Sequence, residues 1–210
     1  SATLRAVLYL AVPAAVGLIV LSELLVRVIF ERGAFTSTST AMVSWALAFF
    51  ALGLPAHAVV EIVVRAFYAM HDTKTPVAIG VGAMALNVVL SLAFIALFKS
   101  LGWIALGGLA LSNSLATTIE MVVLLTILRG RLDGLDGRRM ASSLMRICAA
   151  ALLMGLVAAV CAWALEAFPA ILAAVVAVGT GGLMYVSLSL ALGSPEPRAV
   201  WAVVRSGRRP

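Results

Sequence analysis

The run TPVAIGVGAMALNVVLSLAFIALF, residues 75–98, contains no Asp, Glu, Lys or Arg. About 20 apolar residues in a helix rising 1.5 Å per residue cross the ~30 Å hydrocarbon layer of a bilayer. This run is therefore long enough to span a membrane. The same test finds charge-free stretches at 6–22, 33–60, 100–119, 147–165 and 167–195. Six such stretches in 210 residues, with 63% hydrophobic and 11% charged residues and a mean hydropathy of +1.14, exclude an ordinary soluble enzyme, whose composition runs near 25% charge.

The fold class that follows is all-α, a polytopic membrane protein with six transmembrane helices. Allowing for the turns, they are expected at about 6–30, 41–70, 77–98, 104–128, 144–165 and 170–193. Glu31 to Thr40, His71 to Pro76 and Lys99 to Trp103 read as turns, and Arg129 to Ser143 is the longest connection. Pro13 and Pro55 fall inside spans, where they favour bends. Glycines such as Gly80, Gly82, Gly107, Gly108, Gly179, Gly181 and Gly182 suit close helix approach. Ser1 in place of Met, and the lack of a leader pattern, make the chain read as a fragment.

The basic residues are distributed by side of the membrane. Alternating the spans places twelve Lys and Arg on the side of both termini and three, Arg27, Arg32 and Lys99, on the other. Cytoplasmic loops hold the excess, so both ends are expected in the cytoplasm. The charges lie between spans rather than on a soluble face, which excludes nucleic acid as a partner. The tail from Ser194 to Pro210 either lies along an anionic leaflet or is a frayed basic end. Cys148 and Cys161, thirteen residues apart in one span, cannot bridge within a helix.

Enzyme signatures are weak. Gly80, Gly82 and Ala85 match a dinucleotide fingerprint in spacing, but inside a span, where packing explains them better. His71 and Asp72 lack a second histidine at ligand spacing, so no metal site is supported. Polar groups within the spans are more informative, because an ionisable side chain at mid-bilayer costs at least ~2.5–3.5 kcal/mol. His57, Glu61 and Arg65 recur at i, i+4 and i+8 on the second helix, and Glu61 before Arg65 is the favourable order for an ion pair. They form either a face lining an aqueous substrate path or a structural pair near the interface with Arg65 snorkelling. Asn113, Thr117 and Glu120 make a second face on the fourth helix, and Glu120 has no basic neighbour within a turn. Asn87 and Ser91 on the third helix add further oxygens, although each Asn taken singly is better read as an interhelical hydrogen bond.

Three strings carry more specific information. VIFERGAFT at 28–36, RAFYAMHDTKTPV at 65–77 and GLALSNS at 108–114, in this order and spacing, resemble the MurJ (MviN) family of lipid II flippases, within the multidrug, oligosaccharidyl-lipid and polysaccharide exporter superfamily. The resemblance covers most of residues 1–130. It implies a two-lobe exporter fold, with 1–130 as the last four helices of the C-terminal lobe, 131–193 as two additional C-terminal helices, and 194–210 as a basic cytoplasmic tail. It implies no enzyme activity. The expected activity is translocation of an undecaprenyl-pyrophosphate-linked peptidoglycan precursor across the bacterial cytoplasmic membrane by alternating access; the alternative is another exporter of the superfamily, for a polyprenyl-linked polysaccharide or, coupled to a cation, for drugs, with a non-transport membrane scaffold the more distant one. The partners implied are that lipid-linked precursor, the bilayer and the missing N-terminal lobe. No cofactor is implied, and a coupling cation, sodium or proton, is left open, with Asn87 and Ser91 the candidate positions. Residue by residue, the resemblance transfers Arg32, Gly33 and Phe35 at the outer turn and Tyr68, Asp72, Lys74, Thr75 and Pro76 at the inner turn. Their expected role is to shape turns: Gly33 through a positive φ, Asp72 by capping the next helix and Pro76 by suiting its first turn.

Overall fold

In the computed structural model the described residues are 2–31, 36–131 and 137–191. They form seven helices: α1 (Ala2–Val20), α2 (Ser22–Phe30), α3 (Ser37–Ala69), α4 (Lys74–Ser100), α5 (Ala105–Arg131), α6 (Gly137–Ala164) and α7 (Ala170–Ala191). All but α2 are long and apolar enough to cross a membrane. Arg32, Gly33, Phe35 and the tail beyond 191 lie outside the described residues.

The first expected helix is divided at Leu21, which leaves helical geometry with ψ near 11°. The Ser22 hydroxyl donates to the Ile19 carbonyl at 3.1 Å, and such back-bonding competes with the helical ladder. The short α2 that follows is amphipathic. Val26 is buried, while Arg27 pairs with Glu23 at 3.4 Å and with Glu31 at 3.6 Å along the other side. Pro13 and Pro55 are accommodated within continuous helices.

The neighbours run in the order α4, α5, α3, α1, α6, α7, with α2 touching α3 and α7. One core joins α1, α3 and α5 through Leu4, Val59, Val63, Phe67, Leu124 and Leu128. A second joins α1, α6 and α7 through Tyr9, Ile147, Ala151, Met154 and Tyr185. In the second, the Tyr9 and Ser189 hydroxyls share a hydrogen bond at 2.8 Å, and the Tyr185 hydroxyl donates to the Tyr9 carbonyl at 2.7 Å. Two buried polar bonds therefore tie α7 to α1, an arrangement that costs free energy unless every group is matched.

Close approach is concentrated at a few glycines. A Cβ on Gly53 would lie 2.8 Å from the Ser114 Cα, and one on Gly108 2.8 Å from the Phe94 carbonyl oxygen. These positions let α3 meet α5 and α5 meet α4 backbone to backbone. Gly155 of α6 instead makes room for a side chain, since a Cβ there would lie 2.6 Å from Val16 Cγ1 of α1. Gly82, Gly179 and Gly182, in contrast, face open space, so the packing expected of them does not occur between the described helices.

Two turns share one chemistry. At the end of α4, the Trp103 N–H donates to Phe98 O and the Gly102 N–H to Lys99 O, with Gly102 at φ +71°. At the end of α3, the Asp72 N–H donates to Phe67 O and the His71 N–H to Tyr68 O, with His71 at φ +59°. Both are Schellman caps, but the second places a histidine where glycine carries no Cβ penalty. Left-handed geometry costs an ordinary residue roughly 1–2 kcal/mol. His71→Gly is accordingly expected to raise thermal stability by up to about 1 kcal/mol, read as the melting temperature of the purified protein. An unchanged or lower value would mean that the imidazole itself is held in place by compensating contacts.

Candidate functional site

The polar faces of α3 and α5 meet at His57. Its Nε2 lies 3.1 Å from Asn113 Nδ2 and 3.3 Å from Thr117 Oγ1, and its ring stacks on Phe50 at 5.9 Å between centroids. The i, i+4 spacing of Asn113 and Thr117 sets both on the side of α5 that faces α3. Since Asn113 Nδ2 only donates, the bond to it requires an unprotonated Nε2. The partner for one hydrogen bond of each Asn113 and Thr117 was therefore another helix's histidine.

Farther along α3 the face opens. Glu61 and Arg65 pair with each other, and their side chains remain 66% and 69% exposed. Thirty-three residues make α3 about 50 Å long, some 20 Å more than the ~30 Å hydrocarbon layer. Centred on that layer, the helix would place His57 roughly 9 Å inside it, Glu61 about 3 Å inside its edge and Arg65 about 3 Å beyond it. His57 is thus the deep member of this face, and the ion pair is its wet rim.

Glu120 points from α5 toward α4, its Oε1 3.5 Å from where a Cβ on Gly80 would sit. An alanine at position 80 would make only ordinary contact with this carboxylate. Nearer the other end of α4, the Ser112 hydroxyl donates to Leu109 O at 2.7 Å, which leaves the Ser91 hydroxyl to donate to Ser112 Oγ at 2.7 Å, with Asn87 Oδ1 3.4 Å from Ser91 Oγ. These oxygens join α4 to α5. Ser114, whose bonding to α3 sequence spacing did not reveal, donates to Phe49 O at 2.7 Å across the Gly53 contact.

Both ends of the α3–α4–α5 unit are pinned. At one end Trp45, Phe49, Phe98 and Trp103 form an edge-to-face aromatic chain with centroids 5.2–5.9 Å apart, a geometry favoured by ring quadrupoles. At the other, Arg131 at the end of α5 donates to Asp72 Oδ2 at 2.6 Å and lies over the Phe67 ring at 5.4 Å. Asp72 Oδ1 accepts the Thr75 N–H at 3.0 Å and Oδ2 the Thr75 hydroxyl at 2.6 Å, which caps α4. Pro76 is buried in that first turn, whereas Tyr68 and Lys74 are exposed beside it. Asp72 and Arg131 are 59 positions apart, so no local pattern could have paired them.

The Thr75 hydroxyl and N–H, with Arg131 beside them, hold the Asp72 carboxyl down at about 2 from an ordinary 3.8. The folded value lies below the unfolded one, so the contribution is complete above pH ~4 and is lost as pH falls through the folded value. Thermal melts between pH 5 and pH 2.5 are therefore expected to show an acid-side loss that Asp72→Asn reduces. An identical acid slope in the variant would show that other carboxylates account for it.

Among the described residues no group of three His, Cys, Asp or Glu is arranged for a metal ion. The arrangement is instead a multi-pass helical membrane protein with a hydrogen-bonded polar node inside its spans and charges at their rim. Residues 1–178 match the family model described as "Lipid II flippase MurJ", and the chain belongs to that family. It is 42% identical over 125 residues to a probable lipid II flippase MurJ of Rhizobium tropici, covering 60% of this chain and 22% of the relative. It is 33% identical over 122 residues to the lipid II flippase MurJ of Thermosipho africanus, covering 58% and 24%. The solved structure "Lipid II flippase MurJ, inward closed conformation" aligns at a TM-score of 0.73 and 27% identity, covering 90% of this chain and 37% of that one. The chain thus spans under a quarter of the length of these curated relatives.

Proposed function

We propose that this chain is part of a flippase that carries an undecaprenyl-pyrophosphate-linked peptidoglycan precursor across the bacterial cytoplasmic membrane, without making or breaking a bond. The match of residues 1–178 to the flippase family is the observation that carries this reading. Alternating access needs elements that move as bodies. The aromatic chain at one end of α3–α4–α5 and the Asp72–Arg131 pair at the other fit such a rigid unit. The Glu61–Arg65 rim, whose side chains stay about two-thirds exposed among the described residues, is its surface toward an aqueous path. The charge count orients the Asp72 end toward the cytoplasm. The rest of the protein would supply the second lobe, and His57 with Glu120 are the groups through which a proton could couple. The test is movement of the diphosphate-linked precursor across vesicles containing the full-length protein; none above protein-free vesicles would overturn the proposal.

A further inference from the structure

Glu120 stands inside the membrane with no partner from this chain. α5 is 27 residues long, so when it is centred on the hydrocarbon layer the Glu120 backbone lies about 3 Å from the mid-plane. Among the described residues the carboxylate makes no ion pair and no hydrogen bond. An ionisable group at that depth is costly unless it meets a partner or gives up its charge. The helices packed against α5 are α3 and α4. α4 brings Gly80 to the carboxylate, and its own charged residues, Lys74 and Lys99, lie at its two ends. α3 contributes His57, Glu61, Arg65 and, at its end, Tyr68, with Glu61 and Arg65 paired to each other. On α5 itself the next charges, Arg129 and Arg131, come more than about two turns later, and Arg131 is taken by Asp72.

His57 and Glu120 differ in what they can still accept. His57 Nε2 already takes the Asn113 amide at 3.1 Å, with Thr117 Oγ1 3.3 Å away, and a proton there would remove the lone pair that holds this bond. Both Glu120 oxygens are free of such bonds. A proton needs one acceptor, whereas a metal cation gathers several oxygens around it. The side-chain oxygen one turn before Glu120, that of Thr117, is turned to His57 instead. We infer, resting on the transport reading for the cargo but not for the proton, that Glu120 is a proton-binding site within the membrane, taking up and releasing one proton in each cycle so that a pH gradient drives the movement. The carboxylate becomes a neutral acid and reverts, and no bond in the cargo changes.

Two measurements on the full-length protein separate the proton from the cargo. Infrared difference spectra of the purified protein, taken between acid and neutral pH, should contain the high-frequency carbonyl band of a carboxylic acid without a hydrogen-bond partner, which Glu120→Gln removes and Glu120→Asp keeps. In vesicles with the membrane potential clamped, a gradient of one pH unit should bias the distribution of a diphosphate-linked polyprenyl glycan severalfold, about tenfold being the ceiling for one proton per cycle. An equal sodium gradient should produce no bias. Glu120→Gln should abolish the bias and Glu120→Asp should retain it. Absence of the band, its survival in Glu120→Gln, a bias driven by sodium alone, or a bias lost in His57→Gln but kept in Glu120→Gln would overturn the assignment. If nothing moves under either gradient, the transport reading fails and the band alone decides the proton site. Glutamine breaks no bond that Glu120 makes among the described residues, so the variant is expected to fold.

Discussion

Gly53→Ala is expected to destabilise the purified protein by about 1–3 kcal/mol, the usual penalty for overpacking, whereas Gly82→Ala is expected to be neutral or to stabilise it by up to ~1 kcal/mol. The chemistry of the two changes is the same. In a helix interior alanine is the better former by nearly 1 kcal/mol, so propensity alone predicts a gain at both. At Gly53, however, the new methyl would sit 2.8 Å from the Ser114 Cα and 2.7 Å from its hydroxyl oxygen. Backbone cannot rotate away as a side chain can, so α3 and α5 must separate. That separation would stretch the Ser114 bond to Phe49 O and, one turn on, the His57 bonds to Asn113 and Thr117. At Gly82 a Cβ meets nothing within 4 Å. Melting temperatures of the two variants check this, and an equal shift in both would mean that the α3–α5 approach is not what Gly53 protects.

Charge reversal at Glu61 has its largest expected effect on transport. An exposed i, i+4 pair contributes only about 0.3–0.5 kcal/mol to folding, and both side chains here are two-thirds exposed. Glu61→Lys should therefore leave membrane abundance near that of the unaltered full-length protein. If the face lines the substrate path, two adjacent cations at its rim replace a neutral pair and change the field along it. Transport is then expected to fall about tenfold or more, which corresponds to ~1.4 kcal/mol in the barrier, with Glu61→Gln intermediate. Parallel losses of abundance and transport would mark the pair as structural.

Much of this was legible in residue order. Runs without charge over 17 residues or more located each of the six spans, because a buried charge is too costly to place among them. The recurrences at His57, Glu61 and Arg65 (i, i+4, i+8) and at Asn113, Thr117 and Glu120 (i, i+4, i+7) marked polar stripes on two helices. They did not say which face met which. His57 joins the second face while Glu61 turns away from it, since a helix face is wider than one contact and packing selects within it. The break at Leu21 was hidden for a different reason: a serine inside an apolar run resembles helix, and only its bond to Ile19 O shows the competition. The Asp72–Arg131 pair depends on segments far apart in the chain, which periodicity does not reach. Glycine was the least transferable signal, because Gly53 and Gly82 look alike in sequence and differ entirely in what surrounds them.

The most direct measurement is transbilayer movement of a diphosphate-linked polyprenyl glycan in vesicles reconstituted with the full-length protein, compared with a monophosphate-linked glycan and with phosphatidylethanolamine. Protein-dependent movement of the first, well above both others and reduced by Glu61→Lys, is what a lipid II flippase built on this polar face requires. Movement of all three at equal rates, or of none, would contradict it.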